Sequence, residues 1–307
     1  MNSRWTLAAV AAVWAWTNLV EPFHLRLRRR PLPVLSLSPR WDGLTLLHLS
    51  DLHIRKKGLL ERKLLKLLEP ARADMVVLTG DLVDSPQGIS VLEEAVSVVQ
   101  APLGVYAVWG NAEHKSARFP QRERIELALR RAGVRLLCNE TILLTREGAS
   151  IWLAGVDDPH SGRADLEKVA PNGRRADLHL LLAHSPDVLL HPLSGQFDLI
   201  LCGHTHCGQV RLPGWGALWS HTRLGRWAGD RILRPEQIAQ RLNRPLPQPT
   251  VAVSPGVATV GSPLFKARLF CPPEVTLWTL QPSASAPAHT PKRASLGQDT
   301  SPARQCG

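Results

Sequence analysis

The stretch Leu199-Ile200-Leu201-Cys202-Gly203-His204-Thr205-His206 decides the fold. An apolar run that halts at a glycine and then shows two histidines one residue apart places two imidazoles at the end of a buried strand. Four other runs end in the same way. Residues 46–49 lead to Asp51 and His53, 76–78 to Gly80, Asp81 and Asp84, 105–109 to Gly110 and Asn111, and 178–182 to His184. Helical patterns separate the runs. In 58–69, Leu59, Leu60, Leu64, Leu67 and Leu68 share one side and Arg62, Lys63 and Lys66 the other, and further helices are expected at 89–100 and 121–132. Later strands are expected at 151–154, 251–253 and 275–280. The alternation predicts βαβ units and an α/β domain with a largely parallel sheet. Ligands of such sheets gather beyond the carboxyl ends of the strands, where all of these Asp, Asn and His residues fall.

With 307 residues and 44% hydrophobic content, the chain can bury one substantial α/β domain. Its five cysteines, Cys138, Cys202, Cys207, Cys271 and Cys306, are odd in number and contain no CxxC, which predicts reduced thiols in a cytosol-facing domain. The net charge is +11, and residues 1–72 hold thirteen Lys/Arg against five Asp/Glu. That basic excess adjoins an apolar run at 5–20 carrying Trp5, Trp14 and Trp16, which is followed by Arg26, Arg28, Arg29 and Arg30. The run is at the short limit for a span, so it reads as a membrane helix that crosses with tilt or lies in the interface. Only Arg4 precedes it and no small-x-small site follows, which argues against a cleaved signal peptide. The arginines would bind anionic head groups and keep the domain behind them on the cytoplasmic face of the inner membrane.

The expected organisation is a membrane anchor with basic flank at 1–30, a proline-rich linker at 31–40, a catalytic domain at 41–280 and a disordered tail at 281–307. Within the domain, residues 213–249 carry Trp215, Trp219, Trp227 and six arginines. They read as an insertion with a short helix at 235–242, and as the element that sets specificity.

Aspartate, asparagine and neutral imidazole are hard-to-borderline donors that suit Mn, Fe or Zn. Asp51, His53, Asp81, Asn111, His184, His204 and His206 exceed the needs of one tetrahedral ion and suit two divalent ions sharing a carboxylate. Two such ions support hydrolysis of phosphate esters.

In the order DxH (Asp51, His53), GDxxD (Gly80, Asp81, Asp84), GN (Gly110, Asn111), His184 and GHxH (Gly203, His204, His206), the chain resembles the calcineurin-like metallophosphoesterases across residues 44–280. That resemblance implies a four-layer αββα sandwich of two mixed β-sheets flanked by helices, here with an N-terminal membrane helix. It implies one metal on Asp51, His53, Asp81 and His206 and a second on Asp81, Asn111, His184 and His204, with Asp81 bridging and Asp84 orienting. Asp81 and Asn111 would then serve catalysis directly. The wording HTHCGQVRLP at 204–213, GVDDP at 155–159 and RLFCPPEVTLWTL at 268–280 is similar to the membrane-anchored bacterial branch. That branch includes phosphodiesterases and a UDP-2,3-diacylglucosamine hydrolase of lipid A synthesis. The implied function is a membrane-associated dinuclear phosphoesterase cleaving a phosphodiester or pyrophosphate bond, on a substrate that is lipid-linked.

Three positions depart from the family pattern. The family places His after the GN asparagine, as the acid for the leaving oxygen, and this chain has Ala112. His114, two residues on, is the expected substitute, since general acid catalysis is worth about 10²–10⁴-fold. Cys207 stands where the family has glycine, and Ser254-Pro255-Gly256 replaces a pattern with a central arginine. Two alternatives follow: a metal-stabilised scaffold or lipid-binding protein that has lost its acid, and a nuclease of the same fold. Nucleic acid is not the expected partner, because much of the basic excess lies by the anchor rather than along a track at the site.

Overall fold

The apolar runs form strands in the computed structural model, which describes residues 3–35, 37–115, 122–261 and 266–283. In chain order these are β1 (Arg26–Val34), β2 (Thr45–Leu49), β3 (Met75–Thr79), β4 (Val105–Val108) and β5 (Val134–Leu136). They are followed by β6 (Glu140–Arg146), β7 (Ala149–Gly155), β8 (Leu178–Leu182) and β9 (Leu199–Cys202). A small ribbon of β10 (Arg211–Leu212) and β11 (Gly216–Ala217) precedes β12 (Ile232–Leu233), β13 (Thr250–Val253) and β14 (Glu274–Pro282). Two six-stranded sheets result, ordered β1-β14-β2-β3-β4-β5 and β12-β13-β9-β8-β7-β6. Both are mixed. The parallel run β2-β3-β4-β5 meets β14 antiparallel, and the parallel run β13-β9-β8-β7 is closed by antiparallel β12 and β6.

Alternating side chains along the strands face different cores. Leu46 and Val77 meet Leu153, Leu180 and Leu201 between the two sheets. Their neighbours Leu47, Val76 and Leu78 turn outward onto α2 (Leu59–Leu68), α3 (Gly88–Ser97) and α4 (Arg122–Arg131) through Leu64, Leu92 and Ile125. On the far side, Leu181, Ile200 and Val251 pack against α5 (Leu166–Val169) and α6 (Pro235–Leu242) through Val169 and Ile238. Helices, sheet, sheet and helices therefore stack as the expected sandwich. Burial on both faces explains why the parallel strands read as continuous apolar runs, and each fully buried Leu or Val side chain contributes about 1.5–3 kcal/mol.

The N-terminal expectations need correction. The helix α1 (Ser3–Ala15) has 13 residues and passes into a π-helical turn at Trp16–Val20, then a 3₁₀ turn at Glu21–Phe23. At 1.5 Å per residue, α1 is about 20 Å long against a hydrocarbon core of about 30 Å. No helix among the described residues is long and apolar enough to cross a membrane. Instead the helix leaves Trp5, Leu7, Val10, Val13 and Trp14 exposed, while Thr17 and Glu21 are buried against the domain.

The proline-rich linker is also revised. Residues 26–34 pair in parallel with β14 over their whole length, from Arg26 opposite Glu274 to Val34 opposite Pro282. An edge strand tolerates Pro31 and Pro33, and buried Leu32 and Val34 supply its apolar side. One arginine of the basic flank is used here, since Arg30 Nε lies 2.9 Å from Glu274 Oε1. The 213–249 stretch holds its expected helix, yet β12 adds to the second sheet and Ala228, Leu233 and Ile238 enter the core, so it is integral to the domain. The expected tail at 281–307 starts later than predicted, because β14 continues through Gln281 to Pro282, and residues 284–307 lie outside the described residues.

Candidate metal centre

The strand ends of the two sheets meet, and their loops bring the seven expected side chains together. Asp51 and His53 follow β2, Asp81 follows β3, Asn111 follows β4, His184 follows β8, and His204 and His206 follow β9. The backbone there is unusual. Five of the seven, Asp51, His53, Asp81, His204 and His206, have φ between 42° and 64°, a left-handed conformation that non-glycine residues seldom adopt. Such conformations cost about 1–3 kcal/mol each and persist where the surroundings over-determine them, as at functional sites. The glycines of the motifs allow the close approach. A Cβ on Gly203 would collide with Ser50 Oγ and Asp51 Oδ2, and one on Gly80 would stand 2.7 Å from His184 Nδ1.

The donor atoms converge. His206 Nε2 lies 3.3 Å from Asp51 Oδ1. Asp81 faces both halves of the site, with Oδ2 3.3 Å from His53 Nε2 and Oδ1 3.4 Å from His184 Nε2. His184 Nε2 is also 3.1 Å from Asn111 Oδ1 and 3.2 Å from His204 Nδ1. Asp51, His53 and His206 form one grouping whose donor atoms lie within 4.8 Å of one another, and Asp51, Asp81 and His184 form a second.

Neighbouring groups fix the orientation of these donors. His184 Nδ1 donates to the Thr79 carbonyl at 2.7 Å, which leaves the lone pair of the neutral ring on Nε2. His53 Nδ1 lies 2.9 Å from Asp84 Oδ1, as expected of an orienting aspartate. Glu113, absent from the expected set, is buried and accepts hydrogen bonds from the backbone N–H groups of Asp81 at 3.0 Å, Leu82 at 2.7 Å and Gly110 at 2.9 Å. It clips the Asp81 loop to the Asn111 loop. Asp51 accepts from Ser50 Oγ at 2.7 Å and from the His204 N–H at 3.1 Å.

The charge state fits a cation site. Burial opposes the charge on Asp81, but His184 and His53 overcome it and hold its carboxyl well below the usual range. Burial likewise disfavours charging His184, yet Asp81 beside it pushes its pKa up to about 10. His53 rises for the same reasons. His204 moves the other way, to about 2, through burial and the neighbouring His184. Without metal, the carboxylates thus draw protons onto His53 and His184, and divalent cations would take over that charge compensation. In addition, His204 Nε2 is buried with no hydrogen-bond partner in this arrangement, an orphan that a metal bond would satisfy.

His114 does not join the group. Its Nε2 lies 2.6 Å from Asp157 Oδ1 and its Nδ1 3.3 Å from Arg122 Nη1, so both ring nitrogens are engaged elsewhere. The expected catalytic role of His114 finds no support in these contacts. Three residues that sequence reasoning missed lie closer. His160 packs its ring 4.4 Å from that of His204, Arg268 Nη2 is 3.4 Å from His206 Nδ1, and Glu113 holds the backbone of the Asp81 loop. Two of the three tryptophans expected to set specificity, Trp215 and Trp227, line a separate cavity of about 750 Å³ that includes none of the seven, while Trp219 packs its ring 5.8 Å from that of His221.

The sequence pattern of the calcineurin-like phosphoesterases matches residues 44–208. The chain belongs to this family. The Bacillus subtilis metallophosphoesterase YkoQ is 30% identical over 183 residues, 57% of this chain and 65% of YkoQ, so the chain spans just under two thirds of that relative's length. A metallophosphoesterase of Aquifex aeolicus is 27% identical over 276 residues, covering 87% of this chain and 95% of its own. The UDP-2,3-diacylglucosamine pyrophosphatase LpxG of Chlamydia trachomatis is 24% identical over 260 residues, covering 67% and 77%. Family membership supports a metal-dependent phosphoric ester hydrolase.

Proposed function

We propose that the protein hydrolyses a phosphodiester or pyrophosphate bond with two divalent ions, at the surface of the inner membrane and with its domain in the cytoplasm. The observation that carries this reading is the convergence of seven Asp, Asn and His side chains, with Asp81 turning one oxygen to His53 and the other to His184. Asp51, His53, Asp81 and His206 would hold one ion, and Asp81, Asn111, His184 and His204 the other. Mn, Fe or Zn suits these donors, and the bound pair would supply a hydroxide at neutral pH and neutralise charge on the phosphoryl oxygens. The protein's own part is to fix those donors through Asp84, Thr79 and Glu113. With Ala112 and no histidine beside Asn111, the reaction favours good leaving groups such as a nucleotide phosphate, which need little help from an acid.

Membrane association is supported by the exposed Trp5, Leu7, Val10 and Trp14 of α1 next to the basic flank. Such a location suits a lipid-linked phosphate, and the similarity to LpxG makes UDP-2,3-diacylglucosamine, in lipid A synthesis, the first substrate to try. Hydrolysis of bis-p-nitrophenyl phosphate and UDP-2,3-diacylglucosamine with added Mn²⁺, compared between wild type and Asp81→Ala, tests the proposal. It stands on Asp81-dependent turnover and fails if neither compound is cleaved. Ala112 also favours a second reading, in which the domain is a metal-stabilised scaffold or lipid-binding protein; bound metal without turnover of any phosphate ester selects it.

A further inference from the structure

A cavity of about 540 Å³ opens against the metal centre, reaching His53 and Ala112. Its two kinds of wall differ in chemistry. Phe23, Leu59 and Leu60 form an apolar side, with Phe23 49% and Leu59 76% exposed. Lys56, Lys115 and Lys266 form a cationic side, and the two carboxylates of the lining are engaged elsewhere, Glu61 with the Gly58 N–H and Asp84 with His53. Large apolar side chains left in water beside a group of lysines match an amphiphile that is anionic at one end.

The apolar wall belongs to the N-terminal segment, which is fastened to the domain. Glu21 Oε1 accepts from the Cys271 N–H at 2.7 Å, and the Thr17 carbonyl accepts from the Arg268 N–H at 2.9 Å. Thr17 and Glu21 are buried. Asn18, Pro22 and Phe23, which line the cavity from this segment, are therefore held as part of the site.

We infer that this cavity seats the substrate, a phosphate ester carrying an alkyl or acyl chain. The chain lies against Phe23, Leu59 and Leu60, and Lys115 and Lys266 attract the phosphate end. The N-terminal segment then has two tasks, contact with the membrane and construction of the tail site. This inference rests on the phosphoesterase reading above and adds where the tail is bound.

The test uses the full chain with Mn²⁺, free of membrane, and two soluble probes: methyl and octyl p-nitrophenyl phosphate, both below any micelle-forming concentration. Hydrolysis adds water across the phosphorus–aryl oxygen bond, releasing p-nitrophenol and leaving the alkyl phosphate. The expected result is a kcat/KM for the octyl probe about tenfold or more above that for the methyl probe, arising in KM, as burial of several methylenes implies. Phe23→Asp and the milder Phe23→Ser should each pull that ratio towards one; both alter a half-exposed position, so the fold is retained. A wild-type ratio near one, or a ratio unmoved by either variant, overturns the tail site while hydrolysis stands. Absence of any hydrolysis that Asp81→Ala abolishes overturns the phosphoesterase reading and the inference together.

Discussion

Asp84 Oδ1 lies 2.9 Å from His53 Nδ1, while the opposite nitrogen of the same ring faces Asp81. The aspartate thus sets which nitrogen carries the proton and where the other one points. Partners of this kind typically cost 10–100-fold in metal affinity when removed. Asp84→Asn, which keeps the size but loses the charge, should therefore weaken Mn²⁺ binding by about tenfold or more, measured by calorimetric titration. Equal affinity in the variant would reduce Asp84 to a partner of Arg55, whose Nη2 lies 3.4 Å from its other oxygen.

How much of this was legible in the sequence depends on what holds each residue in place. The seven converging side chains sit immediately after apolar strands, where chain direction dictates the end of the sheet they reach, so local pattern found them. Glu113 lies within the same loop as Asn111 but acts through its contacts with the backbone of residues 81, 82 and 110, which no spacing reveals. His160 follows the GVDDP signature by one residue, and its tilted ring contact with His204 joins loops 44 residues apart in number, a relation only the tertiary fold supplies. Edge strand β1 was hidden because Pro31, Pro33 and the arginines mask its Leu32 and Val34 alternation, and its partner β14 lies at the other end of the domain.

Metal binding should release protons. In the metal-free protein the pKa of His184 stands at about 10, so at neutral pH the ring is protonated and must lose that proton to bind an ion. Apparent Mn²⁺ affinity is expected to rise with pH wherever the pH lies below about 10, by up to about tenfold per pH unit for each proton displaced, and to level off above it. The metal-free fold has the opposite trend. A raised histidine pKa contributes stability that is fully present below the unfolded value of about 6.5 and is lost as pH climbs through 10. Titrations at three pH values in buffers of different ionisation enthalpy read the proton count, and a pH-independent affinity would contradict the charge state described for the site.

Glu113→Ala should be more damaging than its distance from the ions suggests. Three buried N–H groups would lose their acceptor, and an unsatisfied buried donor costs about 1–3 kcal/mol. The expected loss is at least that much stability, with weaker Mn²⁺ binding because the Asp81 and Asn111 loops are no longer clipped. Glu113→Gln, which keeps one acceptor oxygen, should fall between the two in thermal unfolding. Wild-type stability in Glu113→Ala would mean that solvent reaches those donors.

Membrane contact should depend on the exposed tryptophans of α1. Trp5 and Trp14 are 75% and 53% exposed, and replacing both with serine removes much of the apolar surface that would enter the headgroup region. Flotation with anionic vesicles is expected to recover wild type and to lose most of the double variant, with neutral vesicles recovering less of either. Binding that is indifferent to both changes would assign the apolar helix to a protein contact.

Ala112→His probes the position where the family resemblance implies a histidine. The position follows Asn111, its backbone N–H already donates to Asp81 Oδ1 at 2.7 Å, and its side chain borders the cavity that opens on His53. An imidazole placed there can reach the leaving oxygen of a bound phosphate ester, a role that His114, held by Asp157, does not fill. A positioned general acid contributes about 10²–10⁴-fold, most for poor leaving groups and least for p-nitrophenolate. The variant should therefore raise kcat strongly on an alkyl phosphodiester and little on bis-p-nitrophenyl phosphate, with Mn²⁺ stoichiometry unchanged. Equal gains on both substrates would point to altered binding in place of proton donation, and no gain on either, with metal bound, would favour the scaffold.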